Sequence, residues 1–67
     1  MAPFSARDLC REAERELGQR RRVYPRLIEQ RKMTQAASDR QMALMQQIRD
    51  EYDEKATAEE RRGELPL

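Results

Sequence analysis

Histidine and tryptophan are missing from all 67 residues, cysteine occurs once, at Cys10, and there are only two glycines, three prolines, one Phe and two Tyr. Each scarcity excludes something. A lone cysteine forms no internal disulfide, and without histidine it makes no zinc site. With no histidine there is no familiar nucleophile and base pair, and two glycines do not build a phosphate-cradling loop. The longest apolar run, Met42-Ala43-Leu44-Met45, is far short of the ~20 residues that span a bilayer. The expectation is therefore a chain that is not an enzyme, needs no cofactor or metal, and does not cross a membrane. No export signal is visible at the start, and a free thiol suits a reducing cytoplasm.

The apolar supply is also thin, at 37% of residues, while 40% are charged and the net charge is only +1. A chain this short buries little surface on its own. Ordering it costs ~1.5 kcal/mol per residue, which burial must nearly offset. Without a disulfide or a metal, association with itself or with another protein is the remaining way to gain burial.

What is present is helical. Ser5 is a good N-cap, Asp8 stands where its carboxylate can reach back, and Phe4 and Leu9 occupy the positions of a hydrophobic staple. Helix 1 is predicted over about 6–31, with a stripe of Leu9, Cys10, Ala13, Leu17, Tyr24, Leu27 and Ile28. Cys10 lies on that stripe and reads as a small core residue rather than a reactive thiol. The stripe continues past Pro25, which predicts a helix kinked near that proline. Gly18 reads as a place for close approach of a second helix, the alternative being a break there.

Lys32-Met33-Thr34 reads as the turn, with Thr34 as the next N-cap. Helix 2 is predicted over about 35–60, with a stripe of Ser38, Met42, Met45, Ile48, Tyr52 and Ala56. Residues 63–67 read as a flexible tail after a single domain over 1–62. The fold class is all-α, an antiparallel helical hairpin. Two hairpins pairing into a four-helix bundle would cover the apolar surface that each leaves open, with Leu9, Leu17, Ile28, Met42, Met45, Ile48 and Tyr52 as seam and dimer core. Met33, Met42 and Met45 read as core filling, or as an adaptable partner face.

Charge is patterned. Arg7 to Lys32 holds nine basic and five acidic residues, and Asp39 to Glu64 holds five basic and eight acidic. Opposite halves suit antiparallel packing. The densest positive cluster is Arg20, Arg21, Arg22, Arg26, Arg31 and Lys32. It reads either as a site for phosphate or an acidic partner, or as a solvated face that pairs with helix 2.

Four pieces of the middle of the chain carry a resemblance: Arg21-Arg22-Val23-Tyr24-Pro25, Met33-Thr34-Gln35, Asp39-Arg40 and Met45-Gln46-Gln47-Ile48. Together they resemble small proteins of proteobacterial phages and prophages, over about residues 20 to 50. The resemblance implies a cytoplasmic protein in a bacterial host, a regulator or inhibitor of a host or phage protein that acts by binding. Nucleic-acid binding through the basic cluster and a purely structural oligomer are the alternatives. The sequence departs from the pattern at Leu27, where an aromatic is common, and at Arg31, where a glycine is common. Without that glycine a left-handed cap at the turn is not expected. The matched residues suggest that Tyr24, Pro25 and Thr34 fix the hairpin and that Asp39 pairs with Arg21 or Arg22 across it.

Overall fold

A computed structural model describes residues 3–64, with Glu64 described by its backbone alone. Two helices, α1 (Ala6–Glu29) and α2 (Gln35–Glu64), fold back on each other as a hairpin. The rod they form measures 57 × 18 × 17 Å. No strand occurs among the described residues.

The start of α1 follows from its cap. Ser5 Oγ accepts from the Asp8 amide at 3.1 Å, and Asp8 Oδ2 accepts from the Ser5 amide at 3.3 Å. These two bonds satisfy amides that the first turn leaves open. The Ala6 amide is taken by Glu59 Oε2 of α2 at 3.1 Å, which ties the start of one helix to the far end of the other. The helix is unbroken through Gly18 and Pro25. Pro25 is exposed, so the Arg21 carbonyl that it cannot serve lies on the solvent side.

The turn departs from expectation. The Lys32 amide bonds the Leu27 carbonyl at 2.8 Å, and the Arg31 amide bonds the Ile28 carbonyl at 3.0 Å. This nested pair is the Schellman arrangement, whose central residue must be left-handed. Arg31 takes that role with φ 59°, although it is not a glycine. The left-handed cap is therefore present, formed by a residue that pays for the conformation in steric strain. Thr34 then caps α2 as its sequence suggests, with Oγ1 accepting from the Ala37 amide at 3.1 Å.

Two further corrections concern glycine. A Cβ built on Gly18 would meet nothing within 4 Å, so no second helix presses against that position. Helix α2 runs on through Gly63 to Glu64 rather than ending near 60, because neither glycine adopts a positive φ. Residues 65–67 of the expected tail lie outside the described residues.

The core is a narrow seam. On α1 the residues facing α2 are Ala6, Cys10, Ala13, Leu17, Arg20, Tyr24 and Leu27, at alternating steps of four and three, and all are buried or half-buried. On α2 the same alternation selects Ser38, Met42, Met45, Arg49, Tyr52 and Ala56. Cys10 and Ala56 are fully enclosed, and the Cys10 thiol lies 3.6 Å from the Arg49 carbonyl. Leu9 and Ile48, expected in the seam, stand beside it at 38% and 42% exposure. Arg49 holds the seam position that the apolar pattern assigned to Ile48. Its aliphatic stem can pack along the seam while the guanidinium reaches the flank.

Candidate binding surfaces

The seam divides the hairpin into two unlike flanks. One is polar and joined across the helices. Arg7 donates to Asp53 Oδ1 at 2.8 Å and to Glu60 Oε1 at 3.0 Å. Arg49 reaches back to Glu14 at 3.7 Å and sideways to Asp53 at 3.6 Å. Residues 7 and 14 are one heptad apart on α1, and 53 and 60 on α2, so these charges line the same edge. Glu14, Leu17, Arg21, Gln46 and Arg49 border a shallow hollow on this side. The hydrogen bonds from Arg7 hold the Glu60 carboxyl below its ordinary value. Donating to Glu60 and then to Asp53 raises Arg7 in turn. These groups are in contact with water, so each pair contributes little, and the ladder sets register more than stability.

The other flank is apolar. Leu9, Ala13, Met45, Ile48 and Tyr52 line a cleft between the helices, edged by Glu12 and Glu16. Towards the chain start it continues through Leu9 and Glu12 to Phe4. Towards the turn it continues through Glu16 to Val23. Leu44 stands one turn before Ile48 on α2, hence on the same side. Phe4, Leu9, Val23, Leu44 and Ile48 are exposed by 64, 38, 43, 49 and 42%, and they are the large apolar side chains left open among the described residues. All five belong to this flank. Phe4 and Leu9 do border a common hollow with Asp8 and Glu12, as the staple positions imply, but Phe4 remains mostly open to water.

The basic cluster is not a single surface. Arg20 is occupied. Its Nε donates to Glu16 at 3.0 Å, its Nη1 to the Gln41 carbonyl at 2.8 Å, and its guanidinium lies 5.8 Å from the centre of the Tyr24 ring. Arg21 faces the polar flank beside Glu14 and Gln46. Arg31 and Lys32 edge a hollow at the turn with Ile28, Met33, Thr34 and Gln35. Arg22 and Arg26 are exposed on the outer face of α1. Among the described residues, Arg21, Arg22, Arg26, Arg31 and Lys32 form no ion pair, whereas Arg7, Arg15, Arg20 and Arg49 do.

Of the residues expected to fix the hairpin, Tyr24 meets a partner that the sequence did not suggest. Its hydroxyl bonds Gln41 Oε1 at 2.8 Å. Gln41 thus receives both Arg20 and Tyr24, and it clasps the helices near the turn. Asp39 does not reach Arg21 or Arg22. It accepts instead from Gln35 of its own helix at 2.8 Å. Of the residues expected in the seam, Leu17 is buried and Met42, Met45 and Tyr52 are half-buried, whereas Ile28, one residue past Leu27, falls outside the seam and lines the hollow at the turn.

No helix among the described residues is long and apolar enough to cross a membrane, and no cluster of three or more acidic or cysteine ligands is placed to hold a metal ion. No family model matches the chain, and neither the curated proteins nor the solved structures searched contain a match.

Proposed function

We propose that this chain is a non-catalytic helical binding module that acts by associating with protein through its apolar flank. One observation carries the reading: the five large exposed apolar side chains share one flank, while the opposite flank is closed by its own ion pairs. Apolar residues scattered singly on a surface need no explanation, but five gathered on one flank point to an association surface. The resemblance of residues 20 to 50 to phage and prophage proteins supports a regulator or inhibitor working in the cytoplasm of a bacterial host.

The test is a photoreactive residue at position 48, compared with one at position 15, which lies outside the seam on the solvent side and is exposed. Adducts with protein are expected in bacterial cells from position 48 and not from position 15. Equal or absent labelling from both positions would remove the apolar flank as the working surface.

A second reading, nucleic-acid binding by the turn half, is favoured by six cations there, Arg21, Arg22, Arg26, Arg31, Lys32 and Arg40, that form no ion pair among the described residues. Phosphate binding by several arginines falls steeply with salt. Fluorescence anisotropy of a labelled duplex should then show binding at low salt that Arg22→Ala with Arg26→Ala weakens. An unchanged anisotropy at low salt rejects this reading.

A further inference from the structure

Folding converts the sequence's charge pattern into one that runs along the rod. Bonds between Arg7 and Glu60 near the chain ends, and between Arg20 and Gln41 near the turn, fix which residues share a level. Residues 19–42 form the turn half, with seven basic and two acidic residues, a balance of +5. The remaining seven basic and eleven acidic residues leave the other half at −4. The molecule is a rod 57 Å long with a positive end and a negative end.

The apolar flank has an order along the same axis. Leu9 and Val23 are two heptads apart on α1, roughly 21 Å at 1.5 Å per residue. Ile48 and Leu44, one turn apart on α2, lie between their levels, since Cys10 contacts Arg49 and Arg20 bonds Gln41. From the chain ends to the turn the strip therefore reads Phe4, Leu9, Ile48, Leu44, Val23. Reversed, its four inner members oppose Leu9 to Val23 and Ile48 to Leu44, while Phe4 lies beyond that pairing at the terminal end.

We infer that the occupant of the apolar flank is a second copy of this chain, laid antiparallel to the first about a two-fold axis crossing the middle of the rod. This rests on the reading of the flank as an association surface and names its partner. Charge selects the direction. Antiparallel copies set the positive turn half of each beside the negative terminal half of the other, whereas parallel copies set like beside like. The Leu9 to Val23 span covers roughly 21 Å of a rod 57 Å long and 18 Å wide, so the ~800 Å² per partner of a standard interface is reached only when the oppositely charged ends of the rods also lie together. A two-fold contact of this kind closes on itself and produces a four-helix bundle.

Sedimentation equilibrium of the full chain should give twice the mass of 8.0 kDa, and Leu9→Asp should reduce it to the monomer while Arg15→Asp leaves the dimer intact. Direction is read by oxidative cross-linking. The native Cys10 is enclosed and does not compete. In the antiparallel dimer, Leu9→Cys and Val23→Cys proteins cross-link when mixed, and neither does so alone, because a disulfide needs Cα atoms within ~7 Å. The pair Ile48→Cys and Leu44→Cys provides an independent check on the same order. A dimer that forms neither the Leu9–Val23 nor the Ile48–Leu44 cross-link, or a single variant that cross-links with itself, would overturn the antiparallel arrangement. A monomer at all concentrations would overturn the second copy, and adducts from position 48 with other proteins would then show the flank still in use.

Discussion

Replacing Arg31 by glycine should make this protein more stable, although it deletes a charge and a long side chain. Arg31 closes α1 at φ 59°, with its own amide on Ile28 and the next amide on Leu27. An L-residue in that conformation suffers a clash of its Cβ with the backbone that costs roughly 1–2 kcal/mol. Glycine has no Cβ, but its freer unfolded chain returns roughly 0.5–1 kcal/mol of that gain. The net expectation is about 0.5–1 kcal/mol. For a domain of this length 1 kcal/mol moves Tm by about 4–8 °C, so the rise should be about 2–8 °C. Urea unfolding followed by circular dichroism gives the free energy directly, at one fixed protein concentration because association shifts the midpoint. Arg31→Ala is the decisive control. Alanine removes the charge and keeps the Cβ, so it should resemble the parent protein, and Arg31→Val should be the least stable of the set. If Arg31→Gly is no more stable than Arg31→Ala, the strain argument is wrong.

Three further expectations use the same measurements. Gly18→Ala should stabilise by about 1 kcal/mol, since the added methyl meets nothing within 4 Å and φ there is not positive; a loss of stability would mean that helix α2 does press on this position. Thr34→Ala should cost about 1 kcal/mol by leaving the Ala37 amide without its cap, whereas Thr34→Ser should be nearly neutral. Acid should destabilise the hairpin. The carboxyl of Glu60 is held below its ordinary 4.5 by Arg7, so its contribution is present above that value and disappears as pH falls through the lower folded value. Unfolding free energy measured through that window should decline, and by less in Glu60→Gln.

The sequence made the ends of helix 1 and helix 2 legible where a side chain performs the capping. Ser5, Asp8 and Thr34 each carry an oxygen suited to an open amide, and each is used that way. The turn was less legible because its signal is usually glycine, and Arg31 adopts the conformation without it. Gly63 misled in the opposite direction: a glycine ends a helix when its φ turns positive, and here it does not. Gly18 misled differently, since it marks no close approach of α2. The seam was misread at one step. A search for apolar residues prefers Ile48 to Arg49, yet strict alternation of four and three from Ser38 requires position 49. Following that alternation before hydropathy would have placed both Arg20 and Arg49 in the seam and sent Leu9 and Ile48 to the flank. Of the basic cluster, only Arg20 had a sequence clue to its pairing, with Glu16 four residues before it. Gln41, which clasps the turn, had none, because an uncharged amide beside the stripe looks like any solvated glutamine.

The composition of the seam explains why the flank matters. Ala6, Cys10, Ala13, Ser38 and Ala56 are its most enclosed members together with Leu17. Small residues at a helix contact let the axes approach closely, towards the short end of the usual 8–10 Å. Close approach buries little side-chain area, since each alanine contributes one methyl, and burial stabilises by roughly 25 cal/mol per Å². The residues with enough area to change the balance are Phe4, Leu9, Val23, Leu44 and Ile48, and the hairpin alone leaves all of them in contact with water. Exchanging alanines of the seam for leucines would not recover that area, because it would force the helices apart and separate Arg7 from Asp53 and Glu60. Covering the flank leaves the seam untouched. If a second copy covers that flank, as inferred above, stability should rise with protein concentration, and an unfolding midpoint that does not move with concentration would count against it.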